Sequence, residues 1–374
     1  MALRIVVGLA GGLLVASVVL SALRTVVLPR GEPVRLTKWL FSCTRFAFDL
    51  LLRTQSTFFG RDRVMGHYAP VTLLLPFLWL GLTWLGFAAL YWAIEQHGTV
   101  DALVTSGSSL TTLGFERPER LGAVMLTFAE AALVMAFLAL LLVTYLPSMY
   151  AAFSDREQQV SLFEVSAGTP PSATEMMIRY HRIRGMAQTE RVWEDWERWF
   201  ARIAESHTAL PALVYFRSPL AEHSWVTSAG AVLDAAAMIS AVIDLAAVDM
   251  EDAGIQMDDG EIVHMPQAET CLRAGYLALR RIADQFDVAY DPEPMPGDPI
   301  SVTRQEFDLA HQTMAQAGVP LRADRDQAWR DWAGWRVNYD AALLGLANLT
   351  VAPPAPWISD RNPVRTPYLQ SQQR

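Results

Sequence analysis

Residues 99–116 read Thr99-Val-Asp-Ala-Leu-Val-Thr-Ser-Gly-Ser-Ser-Leu-Thr-Thr-Leu-Gly-Phe-Glu116, a hydroxyl-rich stretch set between two long apolar ones. It is too short and too polar to cross a bilayer, which takes roughly 20 mainly apolar residues. Asp101 to Leu110 predicts a short helix capped by Thr99, and carbonyls at its C-terminal end favour a nearby cation. Thr112-Leu113-Gly114-Phe115-Glu116 then follows as extended, non-helical chain. Such backbone is tolerated at membrane depth only where protein buries it or water reaches it. A strand lining an aqueous pore meets that condition.

Outward from this stretch, spans are predicted at about 5–28, 70–94 and 121–146, the last stopping at Pro147. Of the 374 residues, 52% are hydrophobic and 18% charged, which excludes disorder and collagen-like repeats. Cys43 and Cys271 are the only cysteines and lie far apart, so a disulfide scaffold is excluded too. Residues 1–154 carry eleven bases against eight acids, and the remainder nineteen against thirty-one. The acidic second half gives no support to nucleic-acid binding.

Eight bases against three acids in residues 24–69 place that loop in the cytoplasm. The N-terminus and the link 95–120 then lie outside, and everything after Pro147 inside, giving a multi-pass protein of the cell membrane. A cleaved signal peptide over residues 1–22 is the alternative, although removing it would leave the basic loop where it is. Within the loop, Leu36, Trp39, Leu40, Phe46, Phe48, Leu50, Leu51 and Phe58 interspersed with Arg and Lys fit either a helix along the inner leaflet or a packed linker helix.

Helix, short re-entrant helix, Ser108-Ser-Leu-Thr-Thr-Leu-Gly-Phe115 and helix together resemble the pore module of the potassium-channel superfamily, over about residues 70–150. That resemblance implies a T-x-G-[YF]-G type filter whose oxygens replace an ion's water. Thr112 would offer hydroxyl and carbonyl, and Leu113, Gly114 and Phe115 carbonyls, with Thr111 and Ser109 behind the strand. Gly114 permits φ > 0. Glu116 stands where the family has its second filter glycine, at the outer mouth, with Arg117 where an Asp usually follows. A side chain where left-handed geometry is wanted costs roughly 1 kcal/mol or more, which distorts the outermost site. One loop per chain cannot enclose a pore, so the resemblance implies a homotetramer passing monovalent cations, potassium first, with no further cofactor.

The third span holds one charge, Glu130, and an ionisable group inside a span is by default a functional hypothesis. One reading has it hydrogen-bonding Ser108, Ser109 or Thr111 to support the filter. The other has it snorkelling or protonated near the outer end. This span's single glycine is Gly122, so bending at a mid-helix glycine is not expected.

From Asp155 onward the periodicity is helical. Ser172 and Glu175 have capping-box spacing, and Trp193, Trp196, Phe200 and Ile203 form one burying face. Residues 226–248 contain Asp234 and Asp244, which favours a buried core helix over a fourth span. Further helices are expected at about 267–286, 303–317 and 324–348, a proline-rich loop at 291–299, and a disordered tail after 350. No phosphate-binding glycine loop is present, nor a metal-ligand spacing of histidines, nor a nucleophile with its base, so an enzyme is not expected. Two features remain open between ligand and solvated surface: Asp258-Asp-Gly-Glu261 with His264, and Arg179, Arg182 and Arg184 around His181.

The expected architecture is an all-α membrane protein: a first transmembrane helix (1–30), a basic cytoplasmic linker (31–69), a pore module (70–150), an all-helical cytoplasmic domain (151–350) and a tail (351–374). Its partners are further copies of itself and the bilayer, and its cytoplasmic ligand is unassigned. The competing function is a non-conducting, membrane-anchored helical scaffold.

Overall fold

The computed structural model describes all residues except 27–42, 45, 49, 56, 69–74, 96–97, 184, 187–188, 249–264 and 362–374. The expected stretches Leu36–Leu40 and Asp258–His264 therefore lie outside the described residues, as do Arg184 and the end of the tail. In chain order the helices are α1 (Ala2–Val26), α2 (Phe58–Gly66), α3 (Leu75–Glu95), α4 (Thr99–Leu110) and α5 (Leu121–Ala139). A π-helical turn, Leu140–Tyr145, leads into α6 (Leu146–Ala167). There follow α7 (Ala173–Arg182), α8 (Glu190–Ala209), α9 (Trp225–Ala241), α10 (Pro266–Gln285), α11 (Arg304–Gln316), α12 (Arg325–Arg336) and α13 (Asp340–Thr350). Among the described residues the sole β contact is an isolated bridge between Ile243 and Leu321.

Among the described residues three stretches are long and apolar enough to cross a membrane, Ala2–Arg24, Pro76–Glu95 and Leu121–Ala167. The chain divides into two compact units, Met1–Leu50 with Tyr68–Ala151, and Leu51–His67 with Ala152–Arg374. The segment 31–69 is thus not a unit of its own. Residues 51–67 belong to the second unit, where Asp62 of α2 pairs with Arg217.

In the first unit α1 and α3 run antiparallel in close contact because glycines face each other. A Cβ on Gly11 would lie 2.6 Å from the Gly86 carbonyl oxygen, and one on Gly86 would lie 2.7 Å from a Val15 methyl. Small residues at such crossings let backbones approach, which replaces the hydrophobic drive that lipid does not supply. Val18, Ala22 and Trp79 close one end of the seam. Phe87, Tyr91, Ala102 and Ala123 join α3, α4 and α5 at the other.

Pro147 does not stop the third apolar helix. In a regular α-helix its ring would press on the Val143 carbonyl. Here the preceding turn widens, Leu146 N–H bonding back to the Leu141 carbonyl, and the chain continues helically to Ala167. The Ser148 hydroxyl donates to the Thr144 carbonyl at 2.6 Å.

The second unit is built around α9, nearly every residue of which is buried. Its Asp234, read above as an argument against a fourth span, accepts both Arg336 Nη1 (2.6 and 2.7 Å) and the Tyr339 hydroxyl (2.8 Å). Arg336 Nε reaches Asp340 at 2.7 Å, and Asp340 also accepts the Ser301 N–H and hydroxyl. The helix expected at 324–348 is accordingly broken at 337–339. The turn lets Arg336, Tyr339 and Asp340 all face Asp234's network. Trp193, Trp196, Trp199, Phe200 and Ile203 of α8 are buried as their spacing predicts. Residues 351–361, expected as disordered tail, are packed: Ala355, Ile358 and Ser359 are buried and Arg361 pairs with Glu306 at 2.8 Å. Alanine and isoleucine placed between the prolines have a core surface to cover, which composition alone does not reveal.

Candidate functional site

The helix α4 is positioned by side-chain bonds from its one-turn repeat of small hydroxyl residues. Its start is set by Gly98, not by Thr99: the Asp101 carboxylate accepts the Gly98 N–H at 3.0 Å, and Thr99 is the first helical residue. Along its length the Leu103 carbonyl accepts the Trp84 indole N–H at 2.9 Å. The Ser106 hydroxyl donates to Glu130 at 2.6 Å and lies 3.0 Å from the Trp84 carbonyl. Ser109 donates to the Thr127 carbonyl at 3.1 Å.

Glu130 is fully buried and takes a second bond from the Tyr91 hydroxyl at 3.1 Å. Its 2.6 Å bond to the short helix runs through Ser106. Of the three partners expected from sequence, Ser109 also lies within hydrogen-bonding reach of the carboxylate, with its hydroxyl donating to the Thr127 carbonyl, while Thr111 bonds the Gly107 carbonyl. Spacing alone does not set how deep α4 sits beside α5, and Ser106 precedes the expected Ser108, Ser109 and Thr111 by two, three and five residues. At 1.5 Å per residue, Trp84 lies about 16 Å below the Glu95 end of α3, and Glu130 about 13 Å below the start of α5. The two ends of the link are tied as well, Arg120 N–H donating to Glu95 at 2.9 Å and Arg120 Nη1 to the Ile94 carbonyl at 2.6 Å.

The stretch after α4 is organised by Ser108. Thr112 N–H bonds the Ser109 carbonyl (3.0 Å), and Leu113 and Gly114 N–H both bond the Ser108 carbonyl (3.1 and 3.3 Å). Glu116 N–H bonds the Ser108 hydroxyl oxygen at 3.1 Å. The first two are the paired bonds of a helix terminus that ends on a left-handed residue. Here that residue is Thr112, at φ 59°, and Gly114 follows at φ 67°. A glycine was expected at positive φ; a β-branched threonine there is an outlier that the sequence does not announce. Glu116 is not among the positive-φ residues, so the strain anticipated at that position is absent.

In a trans peptide the carbonyl of one residue points opposite to the N–H of the next. With the N–H groups of Leu113, Gly114 and Glu116 turned toward Ser108, the carbonyls of Thr112, Leu113 and Phe115 turn away from α4. Among the described residues none of the carbonyls of Thr112, Leu113, Gly114 or Phe115 receives a hydrogen bond. The whole stretch Thr111–Glu116 is exposed in the single chain, Leu113 to 70% and Phe115 to 64%. Thr111 spends its hydroxyl on the Gly107 carbonyl at 2.6 Å. The structure thus brings together every residue singled out from sequence in this region. Ser106 and Tyr91 are the additions, and both are polar groups inside an apolar environment, a signal readable in principle.

In the second unit no group of three or more His, Cys, Asp or Glu side chains among the described residues is arranged to hold a metal. Arg179 donates to the Val165 carbonyl, which occupies one member of the basic cluster. His207 is fully buried, and burial first, the neighbouring Arg156 second, hold its pKa well below the ordinary histidine value. Arg336 keeps its charge: burial works against it, but Asp234 and Asp340 raise its pKa overall. No family model, no curated protein and no solved structure matches this chain.

Proposed function

We propose that this chain is the subunit of a homotetrameric cation channel of the cell membrane, with potassium the first ion to test. The observation carrying this reading is the arrangement of the chain after α4: the N–H groups of Leu113, Gly114 and Glu116 are tied back to Ser108, and the carbonyls of Thr112, Leu113 and Phe115 are unpaired and turned the other way. Unpaired carbonyls at membrane depth are costly unless a cation or water meets them. Four copies around one axis would supply rings of such oxygens with the Thr112 hydroxyls below them. The Glu130–Ser106–Tyr91 bonds would hold α4 still behind the rings.

In this reading the N-terminus and Glu116 face outward and the helical second unit is cytoplasmic. Glu116 adds a ring of carboxylates at the mouth, which raises local cation concentration.

The test is the purified chain in planar bilayers with mixed potassium and sodium. Cation-selective current in the wild type, lost in Gly114→Ala while the tetramer persists, is the expected result. A Cβ at Gly114 meets no neighbour within the chain, so the substitution acts through its φ of 67° and not through packing. A silent bilayer from confirmed tetramers would leave the anchored scaffold as the function.

A further inference from the structure

The second unit, to which α6 belongs from Ala152 onward, fastens the chain between α8 and α9 to that helix at two points. At the first, Arg156 donates to the Leu213 and Phe216 carbonyls and to Glu157, each at 2.8 Å. At the second, about two turns along the same face, His223 Nε2 lies 2.7 Å from Glu164 Oε2. Val160 and Phe163 are buried between them. An arginine keeps its proton at any working pH, so the first fastening does not titrate. Both partners of the second exchange protons.

Glu164 lies beyond the apolar part of its helix, after Asp155, Arg156 and Glu157. Its side chain is 5% exposed, and Oε1 is buried with no hydrogen-bond partner. Glu157 on α6 and Glu222 beside His223 face it with like charge. From α7, Arg179 is directed to the Val165 carbonyl, and from α8 the neutral His207 accepts from Arg156. Arg156 is committed to Glu157 and two carbonyls, which leaves Glu164 to His223. Burial first, then Glu157 and Glu222, push the Glu164 carboxyl up to about 7.

We propose that Glu164 and His223 hold one proton between them as a pH-operated clasp on α6, closed while the proton is bound and open once it leaves. With the proton present the pair carries no net charge. Without it, a neutral His223 still donates one N–H, but a full negative charge stands buried near two others with one oxygen unmet. The carboxylate then gains by reaching water, which parts it from the chain before α9, while Arg156 keeps its hold. A carboxyl raised in the folded state stabilises that state at acid pH and loses the contribution as pH rises, so the clasp opens upward through about pH 7. The helix it grips continues from the third apolar stretch through the π-helical turn.

The proposal does not depend on the channel reading and is tested without measuring current. Hydrogen exchange of the full-length chain in micelles is followed by mass spectrometry on the peptide containing Leu220–His223, where the His223 N–H bonds the Leu220 carbonyl. Protection factors, which remove the intrinsic effect of pH on exchange, should fall about tenfold or more between about pH 6 and pH 8 in the wild type. Glu164→Gln, whose uncharged amide stands in for the protonated acid, should change by less than about threefold over the same range. Glu222→Lys, at an exposed position, should move the midpoint of opening to lower pH by about half a unit or more. A wild-type peptide equally protected at both pH values would overturn the proposal. So would a Glu164→Gln variant that opens as the wild type does, or an unmoved midpoint in Glu222→Lys.

Discussion

The Ser106 hydroxyl and the Glu130 carboxylate meet 2.6 Å apart with no solvent access to either, joining the short helix α4 to the long helix α5. Buried polar partners are worth most when neither can turn to water. Ser106→Ala should therefore cost about 1–3 kcal/mol of stability in micelles, and Glu130→Ala at least as much, because it also takes from the Tyr91 hydroxyl its nearer acceptor and leaves it Thr127 at 3.4 Å. A double-mutant cycle on the two positions should give a coupling of about 0.5–3 kcal/mol. Strict additivity would mean the contact contributes nothing.

Thr112 occupies left-handed geometry at φ 59°, which costs a branched side chain roughly 1–2 kcal/mol relative to glycine. Thr112→Gly should raise the thermal stability of the purified protein and, if the chain conducts as proposed, lower the cation current at the same time, since the hydroxyl goes with the side chain. Strain kept at a functional position has this signature. A gain in stability with current untouched would show that Thr112 serves only to end α4.

Asp234 and Arg336 are both fully buried and pair at 2.6 Å. Removing one partner strands the other charge, so Asp234→Ala should destabilise the second unit by about 3–5 kcal/mol, read from urea unfolding of the full chain. Asp234→Asn, which keeps two acceptor sites but no charge, should fall between the variant and the wild type.

His207 accepts from Arg156 Nη1 at 3.2 Å through Nε2, which requires the neutral ring because an arginine only donates. Its depressed pKa means that the unfolded chain takes up a proton at this residue below about pH 6.5 while the folded chain does not. Stability from this source is complete above that pH and is lost as pH falls. His207→Gln should flatten the acid limb of a melting-temperature profile taken between about pH 8 and pH 5. An unchanged limb would assign acid sensitivity to other groups.

Much of this organisation is legible in residue order. Apolar length reveals three membrane-competent helices, and the hydroxyl-rich run between Thr99 and Glu116 marks a short helix ending in irregular chain. The aromatic spacing of α8 locates a buried face. What escaped were features that depend on depth and on the backbone's local hand. Ser106 and Ser109 are equivalent by composition, and only the height of α4 against α5 gives Ser106 the 2.6 Å bond to Glu130 while Ser109 donates to the Thr127 carbonyl. Thr112 at positive φ contradicts its own preference and is held there by two bonds to α4. Proline at 147 ordinarily ends a helix, and the chain evades that rule by widening a turn, a tertiary choice no single residue declares.

That widened turn makes Pro147 a latch. A π-turn stores one residue more than an α-turn, so tightening Leu140–Tyr145 to ordinary pitch would swivel the helix that follows by roughly 100°. The proline bars that return, because its ring would then collide with the carbonyl one turn earlier. The rotational setting of the turns that follow Leu146 is in this way chosen by a single imino acid.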